Sequence, residues 1–459
     1  MNRLVATVAI VALGSLTVGA ARLADARDAV AHAPAISALD LIELQIGISV
    51  LDTTYYRPLS PATLAGGART GVGAYLVGRG LGALPLPYVP HHVDRYDAAD
   101  YVDRLVLGAL ERGGRHVTAD GLVRAAISGE ASAARDPYTL LFQPPALAKF
   151  KSYLDGTAFG GIGATLVVPS GGAGAQVASV VAGGPAADAG IEPADTIVAI
   201  DGRSIAGLAP ESVAALLRGK IGSRLRVAVR SGGSPEPRVL ALVRAKVVPP
   251  LVTERELDAG VGYVALTRFG DGAAKQLRVA LAGLVAGGAR GIVFDLRGNG
   301  GGYGDEARAV ASLFIASGPI FTIEARGAAP RPERATGDVA FTGPLAVLVD
   351  GDTASAAEIV AGAIQDDRRG AVVGTKTFGK GVVQSLVPLP DGAALKVTTA
   401  RYALPSGREI DRVGITPNAV VVEPPDSVAG DVARDPQLAR AVELVRHALE
   451  PGRAARPAP

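Results

Sequence analysis

The sequence predicts a multidomain α+β protein with an N-terminal helical region, a small strand-rich module, an α/β core with a mixed sheet and a C-terminal helix. Three observations lead to this prediction. Apolar residues recur at three- and four-residue spacing early in the chain, then form short runs between glycines, and later alternate between strand-like and helix-like stretches. A chain of 459 residues is long enough for two or three domains of this kind.

The early part of the chain has a helical pattern. The stretches "ISALDLIELQIGISVL" and "AADYVDRLVLGALERGG" both place apolar residues on one face of a helix. From Phe159 to about Val248 the pattern changes to five or six short apolar runs, such as "DTIVAIDG", with one helical window, "APESVAALLRG". This texture predicts a small barrel-like module of strands with one helix.

The segment from Leu251 to Glu423 alternates strands and helices. Apolar runs such as "RGIVFDLRG" and "PLAVLVDG" are typical of buried strands, and the stretches between them have helical spacing. This alternation predicts an α/β core with a partly parallel sheet. Near the end of the chain, "DPQLARAVELVRHAL" predicts an amphipathic helix.

The N-terminus predicts export to the periplasm or the extracellular space. Asn2 and Arg3 precede an apolar stretch from Leu4 to Ala21 that ends in small residues, which is typical of a signal peptide. An uncleaved membrane anchor is the alternative. The predicted segments are 1–25 for the signal peptide or anchor, 30–155 for the helical region, 158–248 for the strand-rich module, 250–425 for the α/β core and 433–459 for the C-terminal helix and tail.

The composition excludes several classes of function. The formal net charge is +2 and the chain has no long basic run, so we expect no nucleic-acid partner. The sequence contains no cysteine, which rules out disulfides, thiolate nucleophiles and thiolate metal sites. Apolar residues make up 48% of the chain, so wholesale disorder is also excluded.

Residues 374–381, "GTKTFGKG", match the start of a phosphate-binding loop but then depart from it. Such a loop needs Ser or Thr after its lysine to hold magnesium, whereas position 381 is Gly. It also needs a helix to follow, and the β-branched run "VVQSLVPLP" predicts a strand. A nucleotide-hydrolysing protein is therefore a poor alternative, and Lys380 needs another role.

A serine at the end of a predicted strand is the candidate nucleophile. The strand ends at Val349 and a helix begins near Ser355, which places the hydroxyl at the carboxyl end of a strand, where ligands collect. Backbone N–H groups at the start of a helix favour developing negative charge. Glu358, three residues on, completes a capping-box pattern, so a purely structural capping role is the alternative for Ser355.

Lysine is the candidate base. None of the five histidines lies in the α/β segment, and a lysine can accept a proton only when burial or a neighbouring positive charge keeps it neutral. Lys380 lies between Gly379 and Gly381, which allow close backbone approach, and beside apolar residues that favour burial. Lys396 alternates with apolar residues in "ALKVTTARY", and we expect it to face solvent.

The two motifs together resemble a known family. "TASAAE" followed by "TFGKGVVQ" is similar to the catalytic segment of the C-terminal processing (tail-specific) peptidases, whose pattern is S-A-S-A-S-E and then T-F-G-K-G-x-V-Q. The resemblance implies a PDZ-containing serine protease with a Ser/Lys dyad, an acyl-enzyme mechanism, and no metal or organic cofactor. Ser355 would be the nucleophile, Lys380 the general base, and Gln384 the residue that orients the lysine. To point back at the lysine, Gln384 needs either a turn or a strand bulge.

The stretch "VFDLRGNGGG" resembles the family's D-L-R-x-N-P-G-G turn. This resemblance implies an oxyanion hole formed by the N–H of Ala356 and an N–H of the turn, with Gly301 and Gly302 as the candidate donors. The chain departs from the family pattern at Thr353, Ala357, Gly300, Ala194 and Tyr138. None of these departures removes a catalytic group, so we expect an active enzyme.

Two further stretches, "FGGIGATL" and "GGPAADAGIEPADTIVAIDG", resemble the opening and middle of a PDZ domain. The resemblance implies that the N–H groups of Gly161, Ile162 and Gly163 hold the free C-terminal carboxylate of a protein or peptide substrate, which adds as a strand. We expect an apolar last residue because the neighbouring helix carries Val213 and Leu217. Activator or adaptor proteins and a homo-oligomer are compatible with this architecture.

Two interpretations of the whole chain therefore remain. The sequence favours an exported serine endopeptidase that acts on the C-terminal regions of extracytoplasmic proteins. The alternative is a catalytically inactive scaffold that uses the PDZ domain and the peptidase fold only for binding. The alternative predicts that tail peptides bind to the protein and are never cut.

Overall fold

The structure of the protein is a computed structural model that describes residues 36–450 except 90–92, 156–158, 169–171, 182, 232–233, 235, 248–249, 258–259, 425–426 and 428–429. The predicted signal peptide or anchor at 1–25 lies outside the described residues. Among the helices that are described, none is both long enough and apolar enough to cross a membrane.

Four long helices form the first part of the described chain. They are α1 (Ala38–Thr54), α2 (Pro61–Gly78), α3 (Arg95–Gly113) and α4 (Ala119–Ala133). Each begins at a residue whose side chain accepts a backbone N–H: Ser37, Ser60, Asp94 and Thr118. Their apolar faces enclose a buried core that includes Leu44, Leu105 and Leu122 and also contains Leu395 from the α/β core. The helices therefore pack directly on the strand that carries Leu395.

Two short elements follow the helices, β1 (Leu140–Phe142) and α5 (Pro144–Asp155). Ser152–Leu251, which begin within the last turn of α5, form a compact unit of their own. The described residues before and after them form the other unit. The smaller unit contains β2 (Phe159–Gly161), β3 (Ala164–Val167), β4 (Ala175–Val180), α6 (Pro185–Asp188), β5 (Thr196–Ile200), β6 (Arg203–Ser204), α7 (Pro210–Leu217), β7 (Arg224–Arg230), β8 (Arg238–Val243) and β9 (Ala245–Val247). It has more strands and helices than the sequence predicts because several of them, such as β6 and α6, are only two to four residues long.

In the smaller unit, one sheet has the strand order β3-β4-β5-β7-β8, with β6 paired to β5, and a second sheet contains β2 and β9. Alternate residues of β7 are buried, as expected for a strand with one face on a core. That core includes Ile162, Ile197, Val213 and Val227.

The α/β core follows in the larger unit. Its elements are β10 (Val252–Leu257), β11 (Val261–Leu266), α8 (Ala273–Ala286), β12 (Gly291–Asp295), α9 (Gly304–Ser312), β13 (Pro319–Ala325), β14 (Arg331–Arg334), β15 (Leu345–Val349), α10 (Ala356–Asp366), β16 (Ala371–Gly374), β17 (Val382–Pro388), β18 (Ala394–Ala403), β19 (Ala419–Val420) and α11 (Pro436–Leu449). The predicted mixture of α and β structure, with a sheet-rich core, is confirmed.

The α/β core contains two sheets. The first has the order β10-β11-β12-β15-β16-β19, with only the β10–β11 pair antiparallel, so it is a mixed sheet as predicted. The second is antiparallel, has the order β1-β18-β13-β14, and pairs β17 with β18. Every residue of β12 and β15 is buried, which explains their continuous apolar runs. Because β12 and β15 are parallel neighbours, the loops that follow Asp295 and Val349 meet at one edge of the sheet.

Candidate active site

Ser355 lies in the connection from β15 to α10 and has an unusual backbone conformation. It occupies the N-cap position of α10 with φ 57° and ψ −117°. A positive φ is strained for a residue other than glycine and persists only where surrounding contacts hold it. The Ser355 N–H donates to Glu358 at 2.8 Å, and the Ser355 carbonyl accepts from the Ile359 N–H at 2.9 Å. These contacts fix the residue in place at the start of the helix.

A single buried carboxylate connects Ser355 to the loop that carries Lys380. Glu358 is fully buried in the first turn of α10. It accepts four hydrogen bonds, from the N–H groups of Ser355 (2.8 Å), Gly379 (2.7 Å) and Lys380 (2.9 Å) and from the hydroxyl of Thr377 (2.6 Å). The buried Tyr402 makes a second connection, since its hydroxyl donates to the carbonyls of Lys380 at 2.7 Å and Ser355 at 3.3 Å. Two side chains, Glu358 and Tyr402, thus each form hydrogen bonds with the main chains of both candidate catalytic residues.

The glycines beside Lys380 allow another loop to approach closely, as predicted. A Cβ on Gly379 would lie 2.8 Å from the nitrogen of Gly414, and a Cβ on Gly381 would lie 2.5 Å from the nitrogen of Asp411. The strand β17 begins two residues after Lys380, at the place where a phosphate-binding loop would be followed by a helix. The local structure is therefore not that of a phosphate-binding loop.

The amine of Lys380 lies in an environment that favours its neutral form. Burial is the main cause that lowers its pKa to about 8, and the positive charge of Lys396 acts in the same direction. The carboxylates of Glu358 and Asp136 oppose this decrease. The ring of Tyr138 covers the amine, with 5.0 Å between Nζ and the ring centroid. A pKa of about 8 leaves about a tenth of the lysine neutral at pH 7.

The reactive atoms themselves are not in contact. Among the described residues, no hydrogen bond joins Ser355 Oγ to Lys380 Nζ, although catalytic hydrogen bonds are often long before substrate binds. Gln384 lies on β17 directly after a register shift between Val383 and Gln384, and the extra residue of this bulge, Thr399, belongs to the partner strand β18. Its amide donates to Thr398 Oγ1 at 3.5 Å and not to Lys380.

The glycine turn after β12 lies against the start of α10. A Cβ on Gly301 would lie 2.9 Å from the nitrogen of Ala356 and 2.9 Å from Ser355 Cβ, and its φ of 96° also favours glycine. The Gly301 N–H donates to the side-chain oxygen of the buried Asn299 at 2.9 Å. In the part of the chain that the structure describes, we find no hydrogen bond from the N–H of Gly302.

Sequence reasoning missed part of this site. The sequence pattern indicates only a capping role for Glu358, because the donors at 377–380 reach its carboxylate only when the chain folds back. No sequence pattern predicts the role of Tyr402. The expectation that Lys396 faces solvent is wrong. Its Nζ lies 5.3 Å from the ring centroid of Phe142 and 5.5 Å from that of Phe150, and the residue is half-buried.

In the smaller unit, Gly161, Ile162 and Gly163 line one end of an apolar groove of about 240 Å³. The opposite wall comes from α7 and its C-terminal flank: Pro210, Val213, Ala214, Leu217 and Arg218. Gly163 has φ 73°, which favours glycine at this turn. The structure thus places the three residues predicted to bind a carboxylate beside apolar helix side chains.

Comparison with family models finds two matches. Residues 260–421 match the model of peptidase family S41, and residues 176–231 match the PDZ domain model. The first match includes Ser355, Lys380 and Gln384. The second covers most of the smaller unit but begins after Gly163.

Curated relatives are carboxyl-terminal-processing proteases. The chain is 39% identical to "Carboxyl-terminal-processing peptidase 2, chloroplastic" of Arabidopsis thaliana over 299 residues, which are 62% of this chain and 57% of the relative. It is 37% identical to the carboxyl-terminal-processing protease of Picosynechococcus sp. over 63% of this chain and 70% of the relative. The chain therefore spans just over half the length of the Arabidopsis relative and about two thirds of the cyanobacterial one.

A solved structure has the same fold. A putative S41 protease from Bacteroides fragilis is 16% identical, covers 87% of this chain and 97% of its own, and gives a TM-score of 0.52. At this identity the similarity concerns the fold alone. The family is shown by the cyanobacterial relative, and the match to the S41 model over residues 260–421 agrees with it. The chain belongs to the carboxyl-terminal-processing peptidases of family S41, which are serine-type peptidases, and it carries a PDZ domain.

Proposed function

We propose that the protein is an exported serine endopeptidase that cleaves the C-terminal regions of extracytoplasmic proteins, with Ser355 as nucleophile and Lys380 as general base. Membership of the S41 family supports the peptidase activity. The observation that carries the dyad is the buried Glu358 carboxylate, which accepts the N–H groups of both residues. The pKa of about 8 for Lys380 adds the chemistry that a lysine base needs.

In the first step, neutral Lys380 takes the proton of the Ser355 hydroxyl while Oγ bonds to the carbonyl carbon of the peptide. The carbonyl π electrons move to the oxygen, which becomes the oxyanion. The protonated Lys380 then gives its proton to the leaving nitrogen, and the C–N bond breaks to leave an acyl-enzyme. Water attacks the ester while Lys380 accepts a proton of the water. Lys380 then returns that proton to Ser355 Oγ as the ester C–O bond breaks, which releases the carboxylic acid product and regenerates the neutral lysine. Gln384 would orient the lysine once its amide leaves Thr398.

The oxyanion would rest against the N–H of Ala356 and one N–H of the glycine turn. Gly302 is the better donor of the two candidates, because the N–H of Gly301 already donates to Asn299 at 2.9 Å. The absence of a side chain at Gly301 is needed for a different reason, since a Cβ would lie 2.9 Å from the nitrogen of Ala356. Loss of one oxyanion donor costs about 10²–10³ in kcat in other serine proteases.

The PDZ domain would select the substrate. We propose that the free C-terminal carboxylate binds at the N–H groups of Gly161, Ile162 and Gly163 and that an apolar last side chain enters the groove beside Val213 and Leu217. Export would depend on residues 1–25, and the substrates would then be proteins outside the cytoplasm.

A time course on an unstructured protein with an apolar free C-terminus tests the proposal. We expect the wild type to cut it, and we expect Ser355→Ala and Lys380→Ala to fail although both remain folded by circular dichroism. The matched control is Lys275→Met, which removes an exposed lysine of α8 and should cut normally. Unabated cleavage by Lys380→Ala would refute the base, and an inert wild type that binds tail peptides would favour the scaffold.

A further inference from the structure

We propose that Lys396 is a positioning residue for the reaction, a second cation held beside Lys380 that favours the neutral, proton-accepting form of that lysine. This inference rests on the proposed function in which Lys380 is the general base. It assigns a role to a residue on β18 that lies outside both motifs of the active site.

The strand register places Lys396 on the same side of the sheet as Gln384. Gln384 pairs directly with Thr398, and its amide donates to Thr398 Oγ1 at 3.5 Å, so the two side chains lie on one face. Because side chains alternate along a strand, Lys396 projects from the same face of β18 as Thr398, one step further along. Its partner on β17 is Leu386, which is two residues after Gln384. The second lysine therefore lies on the same face of the sheet as Gln384.

One short segment holds both ammonium groups. Within it, the ring of Tyr138 lies 5.0 Å from Lys380 Nζ and that of Phe142 lies 5.3 Å from Lys396 Nζ. Leu140, which lies between Tyr138 and Phe142 in the sequence, is the residue of β1 that pairs with Lys396 of β18. Phe150 of α5 adds a further ring, 5.5 Å from the same ammonium. The faces of aromatic rings attract a cation, so these contacts fix the position of the Lys396 ammonium on the same segment that carries Tyr138.

No carboxylate neutralises Lys396 directly. In the described part of the chain, neither Lys396 nor Lys380 has a carboxylate oxygen within ion-pair distance. The charged and titratable groups that face Lys380 are Lys396 from β18, Glu358 from α10, and Asp136 and Tyr138 from the loop before β1. Asp136 acts on both lysines, but its oxygens already accept the N–H of Tyr138 at 2.9 Å and the hydroxyl of Thr139 at 2.8 Å.

Burial is the main cause that lowers the pKa of both lysines. The effect proposed here requires Lys396 to keep its charge while Lys380 gives up its proton. A like charge nearby disfavours a second ammonium, and this repulsion adds to burial in keeping Lys380 neutral.

Two substitutions at Lys396 separate the charge from the side chain. Lys396→Met keeps an unbranched apolar chain beside the stacked rings of Phe142 and Phe150 and removes the charge, whereas Lys396→Arg keeps the charge. Lys275→Met is the control for loss of an exposed positive charge. Each variant is compared with the wild type by thermal melting to establish that it is folded.

The first readout is the pH profile of kcat/KM on the tail substrate from pH 5.5 to about 10. We expect Lys396→Met to shift the acidic limb upward by at least about half a pH unit, which lowers kcat/KM on that limb about threefold. Above the shifted midpoint the rate should recover. Lys396→Arg and Lys275→Met should keep the wild-type midpoint.

The second readout does not depend on activity. Competitive acetylation with trace acetic anhydride, followed by mass spectrometry of the peptide that contains Lys380, gives the titration midpoint of that amine in the folded protein. We expect the same upward shift in Lys396→Met alone. An unchanged midpoint in Lys396→Met, or an equal shift in Lys396→Arg, overturns the inference. If the amine shifts but the rate profile does not follow it, the role of Lys380 as base fails, and this inference fails with it.

Discussion

Replacing Glu358 should damage both the stability and the activity of the protein. Glu358→Ala leaves three N–H groups without their acceptor, that of Gly379, which is buried, and those of Ser355 and Lys380, which are partly buried. Each buried donor left unsatisfied costs about 1–3 kcal/mol, so we expect a loss of at least about 3 kcal/mol in the free energy of unfolding. Glu358→Gln keeps one oxygen as an acceptor and should lose about 2 kcal/mol. A displacement of about 1 Å between the catalytic residues lowers the rate about 100-fold, and we expect an effect of that size on kcat.

Urea unfolding monitored by circular dichroism measures the stability, and kcat is measured at a temperature where every variant is folded. Glu254→Gln is the control, since Glu254 is exposed on β10 and its loss should change the free energy of unfolding by less than about 0.5 kcal/mol. Wild-type stability and kcat in Glu358→Ala would refute the view that this carboxylate holds the site together. A loss of stability with unchanged kcat in the folded fraction would refute the positioning argument alone.

Four further outcomes follow from the structure. Because the base must be neutral, kcat/KM of the wild type should fall about tenfold per pH unit below pH 8 and level off above it, as a pH profile measures. Gly301→Ala, which forces a Cβ to within 2.9 Å of the start of α10, should reduce kcat about 100-fold or more while near-ultraviolet circular dichroism stays unchanged. Burial raises the pKa of the unpartnered Glu130 carboxyl, so the folded protein binds an extra proton and loses stability as the pH rises above about 4.5. Glu130→Gln should abolish that loss in urea titrations at pH 5 to 7, and parallel curves for the two proteins would contradict it. Ala194 has φ 74°, a strained conformation for a residue other than glycine. Ala194→Gly should raise the free energy of unfolding by about 0.5–1 kcal/mol, because relief of backbone strain of about 1–2 kcal/mol exceeds the conformational entropy cost of glycine. Thermal melting measures this change.

The parts of the fold that the sequence predicts are those with a strong local pattern. The buried runs of β12 and β15 and the periodic helices α8 and α11 lie where the apolar spacing places them. The strand β14 is different, because its four residues, "RPER", are polar and mostly exposed. It is a strand only because it pairs with β13, and pairing of this kind leaves no hydrophobic signal.

The candidate site divides in the same way. Ser355 and Lys380 are marked by motifs and by the end of a strand, so their positions could be predicted. The burial of Lys396 could not be, because it depends on β1, which joins β18 from more than 250 positions earlier in the chain. The three donors at 377–380 likewise reach Glu358 only after β16 and the following loop have folded back on α10. Long-range pairing and loop closure are what a pattern of single residues does not contain.

Labelling with a fluorophosphonate is the most direct test of whether Lys380 activates Ser355. We expect one adduct, on Ser355, with a labelling rate that rises with pH to a plateau above about pH 8. Lys380→Ala should label at least about 100-fold more slowly, which is the usual contribution of a general base. Equally fast labelling of Lys380→Ala, or an adduct on another residue, would contradict the claim.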